Sequence, residues 1–310
     1  MIAYILKRLS LSIPLLLGIT FITFALIKSL PGDPVLSLVG ERASPQAMEQ
    51  IRKEIGTNRP FIAQYIGYLR LLMKGQMGRS YFTNRPVMSD LIEKFPNTLK
   101  LALGAMIFAI PIGFLLGLTA ALNQGRWADR AASLISIGGI SLPVFWIGLI
   151  LMSVFAMKFR WLPPSGTGDI RYLILPAITL GLPSSASIAR VARTTVFDIL
   201  GQPFIKAVRA KGIRESGIIF RHVLRNVMIP LVTIIGLDFG SYLNGAVLTE
   251  TIFGYNGIGR FTMEGIIKRD YPVVMGMLLF GAVVFIVINM IMDIIYHYID
   301  PRLRIYGHNK

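Results

Sequence analysis

Arg209 and Lys211, with Arg221 and Arg225 a little further on, stand in one polar stretch of an otherwise apolar chain. Guanidinium and ammonium groups at such spacing pair with carboxylates or phosphates rather than doing covalent chemistry. Around them the residues read Gly201-Gln202-Pro203-Phe204-Ile205-Lys206-Ala207-Val208-Arg209-Ala210-Lys211-Gly212. Proline suits the first turn of a helix, where its missing N–H is not needed. Cations in the last turn favour the helix dipole, and a glycine just past it can take the left-handed conformation. The spacing therefore predicts a two-turn helix over 203–211. Ala207 and Ala210, three apart, give it a small-residue face that another surface can approach closely. Phe204 adds an apolar contact, and Arg209, Lys211 and the helix-ending Gly212 complete a docking patch. A second helix is predicted over about 215–227, carrying Arg221 and Arg225. The plainer reading of the same cations is that they only mark one side of a membrane.

A second group of polar residues lies inside an apolar run. Asp238 is followed at three, four and seven residues by Ser241, Tyr242 and Gly245, which share one helical face with it. Ionisable groups within membrane segments usually face a bundle interior or an aqueous cavity. Asp238, Ser241, Asn244 and Glu250 are therefore the candidate lining of a pathway, with an interhelical hydrogen bond as the alternative role for Asp238. Other chemistries find no support. The phosphate-loop pattern Gly-x-x-x-x-Gly-Lys-Ser/Thr is absent, as are Gly-x-Ser-x-Gly and His-Glu-x-x-His. Gly254, Gly257 and Gly259 follow no strand and read as a loop. There is no cysteine and there are only three histidines, at 222, 297 and 308, unsuited to a metal site. No catalytic residue, resident cofactor or metal is expected.

These residues need a membrane framework to position them. Of 310 residues, 54% are hydrophobic and 15% charged, against about 25% charged in soluble domains. Charge-free windows of spanning length run over 9–27, 101–122, 131–157, 172–189 and 271–292, and 226–249 is broken only by Asp238. A spanning helix needs about 20 apolar residues. The prediction is an all-α membrane protein, one domain over 1–310, with six transmembrane helices at about 9–29, 98–122, 132–157, 172–193, 227–250 and 272–297. The fourth is the weakest, because Pro176 and Pro183 interrupt it. Residues 9–27 exceed the apolar core of a cleavable leader, and no small-residue cleavage site follows them. Net charge is +16. It follows membrane topology and does not point to nucleic acid: fifteen cations fall on the side of the termini and the 198–228 loop, against six in the short loops opposite. The positive-inside rule makes the first side cytoplasmic. The remaining 30–96 segment becomes an external subdomain between the first two spans, with helices starting at Pro45 behind Ser44 and near Pro60.

The motifs resemble those of inner-membrane permeases of ABC importers, in the dipeptide, oligopeptide and nickel branch. The likeness rests on eight motifs in order. Leu30-Pro31-Gly32-Asp33-Pro34 follows the first span, and Gly78-Arg79-Ser80-Tyr81 and Pro96-Asn97-Thr98-Leu99 precede the second. Leu142-Pro143-Val144-Phe145-Trp146-Ile147-Gly148 lies in the third. Arg209-Ala210-Lys211-Gly212 with Arg221-His222-Val223-Leu224-Arg225-Asn226 and Pro230 form the loop between the fourth and fifth. Glu250-Thr251-Ile252-Phe253-Gly254 with Gly257-Ile258-Gly259-Arg260, then Arg269-Asp270-Tyr271-Pro272, then Asp300-Pro301-Arg302 complete the set. The chain departs from the wider importer pattern in having Lys206-Ala207-Val208 where Glu-Ala-Ala stands. The resemblance implies that 198–228 is a coupling loop docking on a cytoplasmic ATPase. It implies a second homologous permease subunit, two ATPase subunits carrying ATP and Mg, and an extracytoplasmic substrate-binding protein. It places the chain in the cytoplasmic (inner) membrane of a prokaryote, multi-pass, with both termini cytoplasmic. The expected cargo is di- and oligopeptides. Nickel or a nickel chelate is the alternative within the class, and an ion-coupled secondary transporter is the alternative outside it.

Overall fold

A computed structural model of the chain describes residues 2–29, 35, 44–56 and 58–299. The motif at 30–34 and the tail at 300–310 lie outside them, including the tail cations counted in the charge balance. Helix α1 covers Ile2–Ser29, and α2 (Pro45–Ile55) and α3 (Phe61–Met73) follow it. Ser44 precedes α2 as expected, its carbonyl accepting from Met48 N–H at 3.1 Å. Aromatic rings fix α3 on α1: Phe24 meets Phe61 edge-on at 5.2 Å and Phe21 meets Tyr65 at 5.4 Å. Thr20 and Tyr65 add a hydroxyl pair at 3.2 Å.

Helix α4 covers Val87–Leu122 and begins well before the predicted residue 98. At 36 residues it is about 54 Å long, more than a bilayer core requires. Its polar first turns, with Asp90, Glu93 and Lys94, extend past the apolar window. The third span, predicted as one helix at 132–157, is broken in two. The region holds α5 (Trp127–Ser141) and α6 (Val144–Lys158), set at 103° to each other. The break falls at Leu142-Pro143. A residue before proline is pushed out of the helical region, and Leu142 is extended with ψ 132°.

Pro176 and Pro183 do not break the next helix, α7, which is continuous over Ile170–Leu200. Its most apolar stretch is 61% buried, against 17–39% for the other long apolar helices, and has the lowest mean hydropathy, 1.4. These facts have one cause: α7 faces protein rather than lipid, so small and hydroxylated residues replace leucine. Neighbours that shield the backbone also let a helix tolerate proline. Packing against α4 is close. A Cβ on Gly113 would lie 2.5 Å from the Ser185 carbonyl, and one on Gly181 2.6 Å from that of Ala105. Small residues at such spacing let membrane helices approach and gain dispersion contacts.

Helix α8 (Pro203–Ala210) is short. The next helix, α9, runs without a break from Glu215 to Leu243 through a π-helical stretch at Ile219–Val223. The separate helix predicted at 215–227 is therefore the first part of the fifth span. That span ends at Leu243, not at 250. Helices α10 (Val247–Ile252) and α11 (Ile258–Lys268) follow, and α12 covers Tyr271–Ile299. Among the described residues, five helices, or six if α5 and α6 count as one span, are long and apolar enough to cross a membrane.

Candidate functional site

Helix α8 presents two distinct faces. Ile205 is fully buried, in a cluster with Val196 and Ile199 of α7 and Ile218, Val223 and Val227 of α9. Val208, one turn on, packs against the same cluster. Phe204, Ala207, Ala210 and Lys211 are exposed. The apolar i, i+3 pair thus clamps the helix to two spans, and the small-residue face remains open. Gly212 has φ +76°, and its N–H donates to the Arg209 carbonyl at 2.9 Å. Arg209 is held within the chain: Nε and Nη2 donate to the two carboxylate oxygens of Glu215 at 2.5 and 3.1 Å. That forked contact pushes the guanidinium pKa above its ordinary value. It ties the end of α8 to the start of α9. Arg221 and Arg225 lie on the exposed side of α9, beside Phe220, which is 73% exposed. Sequence reading missed Ile205 and Glu215. The i, i+3 spacing of Ile205 and Val208 was the available signal for the first, and the opposite charge six residues from Arg209 for the second.

Asp238 lies in the last two turns of α9 and faces α7. It accepts a short hydrogen bond from the Ser184 hydroxyl. Ser184 also lies 2.6 Å from the Tyr242 hydroxyl, which donates to the Leu180 carbonyl at 2.8 Å. Asp238 is partly exposed beside this chain of hydroxyls. Ser241 is exposed on a neighbouring position. Asn244 ends the helix, donating to the Gly240 carbonyl at 2.9 Å.

Glu250 stands apart from this group, on α10, fully buried. It accepts from Thr98 Oγ1 at 2.7 Å and from Arg260 N–H at 2.9 Å. Thr98 Oγ1 in turn accepts from Ile258 N–H at 3.0 Å. The carboxylate therefore sits at the start of α11, where free N–H groups and the helix dipole favour an anion. Nearby, the Asn97 side-chain amide donates to the Asn256 carbonyl at 2.8 Å. Asp270 accepts from Ser80 Oγ at 2.5 Å and from Tyr81 N–H at 3.1 Å. The motifs at 96–99 and 250–260 thus bond to each other, and so do those at 78–81 and 269–272, although each pair is far apart in sequence. Spacing along the chain carried no sign of that convergence.

Residues 95–305 match the model of the binding-protein-dependent transport system inner membrane component. Residues 1–102 match the N-terminal membrane component of binding-protein-dependent transport systems. The chain belongs to this family. It is 39% identical over 332 aligned positions to the dipeptide transport system permease protein DppB of Alkalihalophilus pseudofirmus, covering 98% of this chain and 100% of that one. Identity is also 39% to the di/tripeptide transport system permease protein DppB of Pseudomonas aeruginosa, over 98% and 99% of the two chains. The glutathione transport system permease protein GsiC of Escherichia coli K12 is 36% identical over 98% and 99%. Among solved structures, the inward-facing MetNI methionine ABC transporter matches with a TM-score of 0.60 over 70% of this chain and 99% of that one, at 18% identity. That likeness establishes the fold. Family membership and the apolar helices make the chain a multi-pass inner membrane protein and a transport subunit of the ABC importer class.

Proposed function

We propose that this chain is the membrane-spanning permease subunit of an ATP-driven importer of di- and oligopeptides. The observation that carries the reading is the 39% identity to dipeptide and di/tripeptide permeases over 98% of the chain. In this reading it pairs with a second homologous permease, two cytoplasmic ATPases that hold ATP and Mg, and an extracytoplasmic binding protein. Both termini and α8 face the cytoplasm, and residues 30–96 face outward. The exposed Phe204, Ala207, Ala210 and Lys211 enter an ATPase groove, with Arg221 and Arg225 pairing with acids at its edge. Arg209 acts indirectly, through Glu215, by holding α8 in place.

Closure of the ATPases on ATP pushes α8. Because Ile205 and Val208 are embedded between α7 and α9, that push moves both spans rather than bending a loop. Asp238 and Ser241, with Asn244 at the helix end, line the route for the cargo's amine and amides. Glu250 holds the outer loop and stays out of the route. Hydrolysis returns the assembly to its inward-facing state. The test is uptake of a labelled dipeptide into proteoliposomes holding both permeases and both ATPases. Uptake that requires ATP and the binding protein supports the reading. Uptake driven by a proton gradient without ATP refutes it. Nickel-chelate uptake in place of peptide keeps the machine and refutes the cargo.

A further inference from the structure

A cavity of about 350 Å³ opens where the end of α1, helix α3 and the start of α12 come together. Its size falls in the range of about 300–1,000 Å³ common to small-ligand sites. None of the residues discussed so far as coupling or pathway groups lines it. Lys28, Arg59 and Arg79 do, and no carboxylate is among the described lining residues. The nearby Asp270 is buried and spends its oxygens on Ser80 and Tyr81 N–H. Tyr68 belongs to the lining, and its buried hydroxyl has no hydrogen-bond partner among the described residues. Burial pushes that phenol up to about 12, so it is a neutral donor at any physiological pH. Phe24, Ile27 and Met275 supply an apolar wall.

Position identifies the ligand class. Both α1 and α12 have most apolar stretches that are only 17% and 22% buried within this chain, which leaves them open to lipid or to a partner span. The cavity lies at their ends, at the level where headgroups sit, beside Tyr81 and Tyr271. We propose that it binds an anionic phospholipid with a hydroxylated headgroup, of the phosphatidylglycerol kind. The phosphodiester sits among the three cations, the acyl chains run down the wall beside Phe24 and Ile27, and the headgroup hydroxyls meet Gln64 and Tyr68. Basic groups at a membrane surface favour anionic lipid by about fivefold each.

The complex of this chain with its partner subunits is equilibrated in liposomes of equal phosphatidylglycerol and phosphatidylcholine. It is then extracted into neutral detergent, and retained lipid is measured by mass spectrometry. We expect phosphatidylglycerol to be retained at least about fivefold over phosphatidylcholine, and Arg59→Glu to abolish the preference. Tyr68→Phe, which keeps the ring, should reduce it and serves as the second variant if Arg59→Glu does not assemble. Equal retention of the two lipids, or a preference that survives both variants, overturns the proposal. Complete displacement by millimolar inorganic phosphate would make this a free-anion site and overturn it too. So would a photoreactive group at position 59 that labels the binding protein in place of lipid.

Discussion

Replacing Gly212 isolates the role of backbone conformation in the proposed docking patch. The residue has φ +76°, and a Cβ built on it meets nothing within 4 Å. Substitutions therefore act through the backbone and not through a clash. An L-residue in the left-handed region costs about 1–2 kcal/mol, and a β-branched one sits at the unfavourable end. At 1.4 kcal/mol per decade, Gly212→Ala should weaken ATPase docking by about fivefold and Gly212→Val by about thirtyfold. Asparagine is similar in size to valine but tolerates this region far better, so Gly212→Asn should cost less than Gly212→Ala. The assay is co-purification of the ATPases from detergent at graded concentrations, with peptide uptake alongside. Membrane insertion should be unaffected in all three. If asparagine and valine behave alike, or if Gly212→Val docks and transports normally, the left-handed turn is not what presents α8, and the docking assignment falls.

Three further outcomes are expected. Asp238→Asn keeps an oxygen that accepts from the Ser184 hydroxyl and should lower uptake of cationic dipeptides severalfold relative to anionic ones; unchanged uptake of charged and neutral peptides alike removes Asp238 from the pathway, and a loss of thermal stability confined to Asp238→Ala makes its role structural. Glu250→Gln can keep an oxygen for Arg260 N–H only by setting its amide donor against the Thr98 hydroxyl, which now donates to the carboxylate, and should destabilise the outer loop by about 1–3 kcal/mol, read as faster proteolysis between 250 and 270; a wild-type cleavage rate contradicts the role of Glu250 in holding that loop. Asp129 is buried and bonded by Arg193 Nη2 at 2.9 Å and by Gly125 N–H at 3.0 Å, so Arg193→Ala should lower the melting temperature more than the double variant with Asp129→Asn does, because the single change leaves a buried charge without its partner; equal losses would show that the pair carries no coupling.

The ends of α8 were legible because each is set by one residue with a stereochemical rule: Pro203 at the start and Gly212 past the end. Apolar runs likewise marked the spans, since hydropathy reports how much of a segment avoids water. It does not report direction, so the 103° turn at Leu142-Pro143 was hidden inside what reads as one 27-residue charge-free window. Proline was an uneven guide. Pro176 and Pro183, which made the fourth span read as the weakest, sit inside one continuous helix, while Pro143 marks a true break. Glu250 was grouped with Asp238 on apolar continuity alone. Gly245, with φ +99°, ends that continuity by packing on Gly259, where a Cβ would come within 2.8 Å of the Gly259 Cα. The sign was present in the sequence as Asn244-Gly245, a common turn pair.

Coupling between a site at one end of the molecule and an event at the other needs an element that both ends hold firmly. Helix α7 meets that requirement. Near its end, Val196 and Ile199 enclose Ile205 of α8. Near its start, Leu175 packs with Phe253, three residues after Glu250. Between them, Ser184 bonds Asp238. With 31 residues, α7 spans about 46 Å, and its tight packing on α4 through Gly113 and Gly181 resists bending. If α8 docks on an ATPase as proposed, a force on its exposed face would be delivered along a stiff rod, past the proposed pathway, to the loop that Glu250 and Asp270 fasten. Packed interfaces of this kind shift between discrete arrangements rather than deforming smoothly. The fastened loop would then move as a body, and the short polar contacts at Thr98 and Ser80 are the ones that must change partners when the outer end opens.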